Sequence, residues 1–183
     1  MRCGKRVFFP GRQSTRRGVW RSWLARMHGV HEVAGSSPAT PTERSTMIKK
    51  NRKGKIFYEL TKEECRQLNK AADDALKNTY PTGGDGFSVA VMTESGSIYT
   101  GVSYISKTQT LTMHSEATAL AHAAIHGEKR IVAITGPNCH ICKQLIYESS
   151  LHSGIDVNIV IEEADGIKQV PISELMPYPW PEK

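Results

Sequence analysis

The sequence predicts an α/β layered domain with a mixed sheet, and three observations carry that prediction. Hydrophobic periodicities run in the order helix, hairpin, helix, strand, helix, strand between residues 60 and 162. The stretch that carries them, 47–183, is about 137 residues long, enough for one domain with its own core. Two short motifs, His114-Ser115-Glu116 and Cys139-His140-Ile141-Cys142, each fall where a loop or strand feeds the start of a helix.

Leu60 precedes Thr61-Lys62-Glu63-Glu64, a capping box in which the Thr hydroxyl and the Glu three residues later satisfy free backbone N–H groups. The helix that follows is expected to bury Cys65, Leu68, Ala72, Ala75 and Leu76 on one face and to end before Pro81. Gly83-Gly84-Asp85-Gly86 is then a flexible loop. Phe87, Val89 and Val91 alternate with small or polar residues, Glu94-Ser95-Gly96 makes a turn, and Ile98, Thr100 and Val102 resume the alternation, which is a hairpin. Residues 103–112 are polar and irregular and lead into a helix over 114–126, closed by Gly127. A short apolar strand is expected over 131–135, a second helix over 139–149 and a buried strand over 157–162. Gln169-Val170 then reads as an edge strand before a last short helix over 172–176.

The chain carries 24 Lys+Arg against 18 Asp+Glu, but the excess is confined to one end. Residues 1–46 hold nine Lys/Arg and two Asp/Glu, net +7, whereas 47–183 hold fifteen and sixteen, net −1. The body therefore has no basic surplus with which to neutralise phosphates, which argues against a nucleic-acid partner. No apolar run approaches the length of a membrane span, so no membrane partner is expected. Four cysteines, of which Cys139 and Cys142 form a close pair, are no secreted disulfide framework, and a reducing cytoplasm is the expected compartment. Residues 1–46 have no helical or strand period, and a disordered leader is expected there. Their Arg-rich, acid-poor character permits a transit-peptide reading. A more specific reading notes that Gly35-Ser36-Ser37-Pro38 is encodable by GGT-TCG-AGT-CC, which resembles the T-arm of a transfer-RNA gene; Met47 is then the true start and 1–46 an upstream stretch translated by mistake.

The chemistry is concentrated in the two motifs. Cysteines three residues apart at a helix start put both sulfurs on one face, and the positive end of the helix dipole favours the thiolates that zinc requires. His114 and Glu116 lie in the first turn of another helix and can share that space if the two starts are adjacent. Three protein ligands, His114, Cys139 and Cys142, leave a fourth tetrahedral position for water, whose pKa falls from 15.7 in bulk to roughly 7 on well-placed zinc. Blander readings exist for each piece: a lone C-x-x-C is also a redox pair or half a zinc knuckle, although no second C-x-x-C completes a four-cysteine site and nothing else of the thioredoxin pattern is present. His122 and His126 share a ligand spacing, yet His122 is roughly 12 Å from His114 along the helix axis, and both read as surface or interface histidines. His140 is expected to point away from the metal.

The same residues sit in a longer ordered set. Phe87-Ser88-Val89-Ala90-Val91 resembles an F-x-V-G-A strand, Gly96 to Val102 a G-x-I-Y-T-G-V hairpin, His114-Ser115-Glu116 a C/H-A-E motif, Cys139 to Gln144 a C-x-x-C-R-Q motif, and Glu174-Leu175-Met176-Pro177 a terminal E-L-L-P. In this order, across residues 60–180, they resemble the cytidine deaminase family, including its blasticidin-type branch. The resemblance implies a three-layer αβα sandwich with a mixed five-stranded sheet, usually in a homotetramer or homodimer with active sites at subunit boundaries. It implies that His114, Cys139 and Cys142 hold Zn2+, that Glu116 is the catalytic proton shuttle, and that the backbone near Ser115 helps hold a pyrimidine carbonyl, with the Ser115 hydroxyl adding a donor. The implied substrate is a small nucleoside-like molecule.

Two departures bear on that substrate. The family's sugar-reading N-x-E falls at Ser103-Tyr104-Ile105, which carries neither the Asn nor the Glu, so Ser103 stands where a ribose acceptor is expected. Pro137-Asn138-Cys139 is one residue longer than the usual Pro-Cys junction and reshapes the loop above the metal. Phe87 offers an aromatic face for a base, or is a core Phe. Tyr178-Pro179-Trp180 either closes a pocket or packs at an interface. The leading functional expectation is zinc-dependent hydrolytic deamination of a cytosine nucleoside or a modified aminopyrimidine, with release of ammonia. The alternatives are a non-catalytic zinc-bearing subunit or binding module of the same fold, against which Glu116 argues, and a nucleic-acid base deaminase, against which the charge of the body argues.

Overall fold

A computed structural model describes residues 46–52, 54–82 and 86–179, all within the second of the two units into which the chain divides, Pro38–Lys183. The expected leader, apart from Thr46, lies outside the described residues, as do Gly83 to Asp85 and Trp180. The first element is a hairpin absent from the expectations, β1 (Ile48–Arg52) paired antiparallel with β2 (Lys55–Glu59). Its sequence gives no apolar alternation because β1 is exposed along its whole length. The turn is marked only by Gly54, whose φ of +80° suits a residue without a Cβ.

Thr61 caps helix α1 (Lys62–Ala75) as expected: its hydroxyl accepts from the Glu64 N–H at 3.2 Å, and Glu64 Oε2 accepts from the Thr61 N–H at 2.8 Å. The other Glu64 oxygen accepts from the Thr46 N–H at 2.9 Å, tying the start of the body to the helix. Cys65, Leu68, Ala72 and Ala75 are buried, but Leu76 is exposed. Leu76 begins a 3-10 turn, Leu76–Asn78, whose tighter winding rotates it off the apolar stripe.

Strands β3 (Ser88–Thr93) and β4 (Ile98–Val102) form the expected hairpin, followed by helix α2 (Ser115–Ile125), strand β5 (Ile131–Thr135) and helix α3 (His140–Ser153). Helix α3 runs four residues past its expected end because Gly154, at φ +69°, provides the left-handed cap. Strand β6 (Asn158–Glu163), edge strand β7 (Gly166–Pro171) and helix α4 (Ile172–Leu175) complete the domain. The sheet order is β4-β3-β5-β6-β7, with β5 and β6 parallel across the α3 crossover and the other pairs antiparallel. The sheet is thus mixed and five-stranded, as expected.

Successive residues of β3 show why the hairpin alternation understates its burial. Val89 and Val91 pack with Ala119, Ala123, Ile146 and Ile172, from α2, α3 and α4. Ala90 and Met92 pack with Tyr58, Cys65, Leu68 and Ala72, from β2 and α1. Both sheet faces are covered, and the layers are α, β, α. Helix α2 lies unusually close to the sheet: a Cβ at Gly101 would come within 2.2 Å of Ala119 N and Ser115 O. Ala119 and Ala123, both with no exposed surface, supply the small face that this approach needs. The Thr118 hydroxyl lies 2.9 Å from both Val102 O and Ser115 O and pins the same turn.

A surface cluster locks the far end of the sheet. Glu94, in the β3–β4 turn, accepts from Arg130 and from the Tyr58 hydroxyl, and Arg130 also donates to Ser153 O at 2.9 Å. Hydrogen bonds from Arg130 and then Tyr58 hold the Glu94 carboxyl at about 2, below its ordinary 4.5.

Two outcomes follow. Gly101→Ala should lower unfolding free energy by about 1–3 kcal/mol, read as a fall in the denaturant midpoint, because the methyl meets backbone and not a movable side chain; an unchanged midpoint would show that α2 can retreat freely. Since Glu94 has a depressed folded value, its stabilising effect is present above about 4.5 and is lost as pH falls toward 2. Glu94→Gln should therefore cost up to about 1 kcal/mol near neutral pH, the ceiling for a partly exposed pair, and should flatten the acid-dependent part of the stability curve in that window.

Candidate metal centre

Two helix starts build the site. His114 occupies the N-cap of α2 and Cys139 the N-cap of α3, while Cys142 lies in the first turn of α3. Both caps have extended backbone, with ψ of 147° and 166°, so each side chain turns back across its helix start. Cys139 Sγ accepts from the Cys142 N–H at 3.4 Å, which uses the sulfur as a cap and orients it. His114 Nδ1 then stands 3.6 Å from Cys139 Sγ and 3.3 Å from Cys142 Sγ. The three ligand atoms lie within 4.8 Å of one another, and the group could hold a metal ion.

The cysteines differ in setting. Cys139 is exposed, whereas Cys142 is buried, and burial first, then the neighbouring Cys139 and Glu116 side chains, push its thiol well above the ordinary value. A helix dipole alone does not overcome that penalty. A divalent cation among the three ligands would reverse it by stabilising the thiolate directly. Cys65, on the buried face of α1, is pushed up to about 11 by burial and then Glu64, and it has no place in the group.

Glu116, in the first turn of α2, is 6% exposed and lines the same cavity as His114 and Cys139. Its Oε1 accepts from Asn138 Nδ2 at 3.1 Å, and its Oε2 lies 3.3 Å from the Ser115 hydroxyl. The Ser115 hydroxyl, expected from sequence to add a donor for the substrate carbonyl, donates to the carboxylate in this structure. Asn138 Nδ2 also donates to Thr135 O at 3.1 Å. The sequence reading missed this contact; the extra residue in Pro137-Asn138-Cys139 was its only signal, and that signal pointed to loop shape and not to Glu116.

The cavity measures about 990 Å³, the size of a small-molecule site. Phe87, Ser103 and Ser115 all line it. Phe87 lies just before β3 and is 68% exposed, so it is no core residue. Ser103 is buried, and its hydroxyl accepts from the Phe87 N–H at 2.9 Å, which leaves its own proton free to donate. Part of the lining was not anticipated: Asn69 and Asp73 of α1 and Glu162 of β6 also line the cavity, with Asn69 Nδ2 donating to Glu162 at 3.2 Å. Their signal in the sequence was only a polar i, i+4 pair on α1.

Other candidates lie apart. His122 Nδ1 meets Thr100 O and His126 Nδ1 meets His122 O, each at 2.9 Å, and both rings pack beside Tyr99. They act as helix-surface histidines. His140 is exposed, and neither it nor Tyr178, which is 96% exposed, lines the cavity. Among the described residues no helix is long and apolar enough to cross a membrane.

No protein-family model and no curated protein matches the sequence. Among solved structures the chain is similar to the cytidine deaminase of Mycobacterium leprae, at 24% identity and a TM-score of 0.50, over 61% of this chain and 96% of that one. It is similar to that of Burkholderia pseudomallei at 20% identity and a TM-score of 0.54, over 63% of this chain and 98% of that one. The enzyme of Mycobacterium tuberculosis aligns at 17% identity and a TM-score of 0.53, over 63% of this chain and 95% of that one. Identities this low speak to architecture, and the alignments span almost the whole length of those structures: this chain has the cytidine deaminase fold.

Proposed function

We propose that the chain is a zinc-dependent hydrolytic deaminase that converts a cytosine nucleoside or a modified aminopyrimidine to the uracil-type product and ammonia. The observation that carries this reading is the meeting of His114, Cys139 and Cys142 at two helix starts, with the buried carboxylate of Glu116 in the same cavity. The donor set fits zinc. Zinc–sulfur and zinc–nitrogen bonds of about 2.3 and 2.05 Å at the tetrahedral angle separate sulfur from nitrogen by about 3.6 Å, against the 3.3 and 3.6 Å found here. Two thiolates and an imidazole also suit zinc better than the oxygen-seeking cations.

Zinc held by these three side chains would supply Lewis-acid activation of a water nucleophile at neutral pH. The remaining work falls to the chain. Glu116 accepts a proton as the water attacks the ring carbon that bears the amino group, and passes a proton to the adjacent ring nitrogen. It then takes the second proton of the former water and gives it to the amine, so that the ring carbonyl forms as the C–N bond breaks and ammonia leaves. A single carboxylate can serve every transfer because its partners, Asn138 and Ser115, hold it in place inside a low-dielectric wall. Phe87 at the mouth offers a stacking face, and the Ser103 hydroxyl offers a donor where a sugar-reading acceptor would otherwise stand. Without an Asn and a Glu at positions 103 and 105 to read sugar hydroxyls, the site loses its main discrimination for ribose.

A non-catalytic zinc subunit is the competing reading, and the buried Glu116 is the feature it leaves without a purpose. Incubating the protein with a panel of cytosine, 5-substituted cytosine and aminopyrimidine nucleosides, and measuring ammonia, separates the two. Glu116→Ala should reduce turnover by about 10²–10⁴-fold while zinc stays near one per chain. Turnover equal to the parent, or protein purified without zinc, would refute the assignment.

A further inference from the structure

Asn138 is a buried polar residue beside the metal ligands that ligand geometry alone does not require. It is 6% exposed and sits between Pro137 and the ligand Cys139. Its Nδ2 donates to Thr135 O and to Glu116 Oε1, both at 3.1 Å, so each amide hydrogen is used. Its Oδ1 is buried without a partner. The amide cannot be turned over to relieve that, because Oδ1 would then face a carbonyl and a carboxylate, two acceptors. The anchor is firm as well: Thr135 is the last residue of β5, and its hydroxyl accepts from the Ala90 N–H at 3.0 Å on the neighbouring strand.

An unpaired buried carbonyl oxygen is a cost, and it is sustained where the other end of the group has a task. Here the two oxygens of Glu116 are given unlike partners. Oε1 meets an amide N–H, which only donates. Oε2 meets the Ser115 hydroxyl, which can donate to the ionised oxygen and, by rotating, accept from the protonated one. We infer that Asn138 is a positioning residue: its side-chain amide clamps Oε1 of Glu116 against the end of β5 and so presents Oε2 as the oxygen that exchanges protons with the substrate. This rests on the deaminase reading above and adds to it the residue that fixes the carboxylate, in the position where the chain is one residue longer than the related motif.

The competing explanation is that Asn138 merely shapes the loop that delivers Cys139. The two separate in the zinc-loaded protein. Asn138→Ala should lower kcat by about 10- to 100-fold, with KM within about twofold of the parent and zinc content unchanged, as expected for a displaced catalytic group and an intact binding site. Loss of zinc in step with activity, a raised KM at unchanged kcat, or parental kcat would each overturn the inference. A second measurement does not depend on turnover or on the folding of Asn138→Ala. In the parent labelled with 15N-asparagine, the side-chain amide signal of Asn138 should shift when Glu116 is replaced by Ala, and an unmoved signal would overturn the clamp. A parent that releases no ammonia from any substrate removes the deaminase reading and this inference together. An active parent matched by Asn138→Ala removes this inference alone.

Discussion

Everything at the site depends on two helices beginning side by side. An imidazole at the N-cap of α2 and two sulfurs at the start of α3 converge only because α2 lies flat on the β3–β4 hairpin and α3 leaves directly from the end of β5. The first condition rests on Gly101, where a Cβ would meet the backbone of α2 at 2.2 Å, and on the alanines that face it. The second rests on β5 being buried on every side chain, so that its end is as fixed as the core. Chemistry that needs side chains placed within fractions of an ångström is therefore carried at the starts of rigid elements.

The electrostatics favour a cation in that position. Cys142 is buried beside Cys139 and Glu116, a setting that opposes charge on its sulfur. Helix starts contribute positive potential but are weak against burial of this kind. A divalent ion would satisfy the sulfurs, the imidazole and the neighbouring carboxylate together, and the separations of donor atoms suit a tetrahedral one. Glu116 remains outside the ligand group and keeps both oxygens for hydrogen bonds, which is what a group that gains and loses protons requires.

The sequence made the inner site legible and left its walls dark. Ligand spacing is a local property: Cys139 and Cys142 at a helix start, and His114 two residues before Glu116, declare themselves within a few positions. Buried strands declare themselves too, since β5 is almost wholly apolar and β6 holds the apolar run Ile159-Val160-Ile161, and the capping box at Thr61 marked a helix start that the structure has. The β1–β2 hairpin escaped because a fully exposed strand has no alternation to read. Leu76 was misplaced because a 3-10 turn changes the angular step that periodicity assumes. The wall formed by Asn69, Asp73 and Glu162 escaped for a different reason: it joins α1 to β6 across 93 residues of sequence, and only the fold brings them together. Asn138 was noticed as an insertion, but its contact with Glu116 spans 22 residues and has no local signature.

The central claim is that His114, Cys139 and Cys142 form one metal site with a position left for water. X-ray absorption at the zinc edge of the purified protein tests it without reference to any substrate. The expected spectrum has two sulfur neighbours at about 2.3 Å and nitrogen or oxygen neighbours at about 2.0–2.1 Å completing four-coordination. Cys142→Ser should remove one sulfur from that shell. A shell of four sulfurs, a shell with none, or a spectrum unchanged by Cys142→Ser would contradict the account.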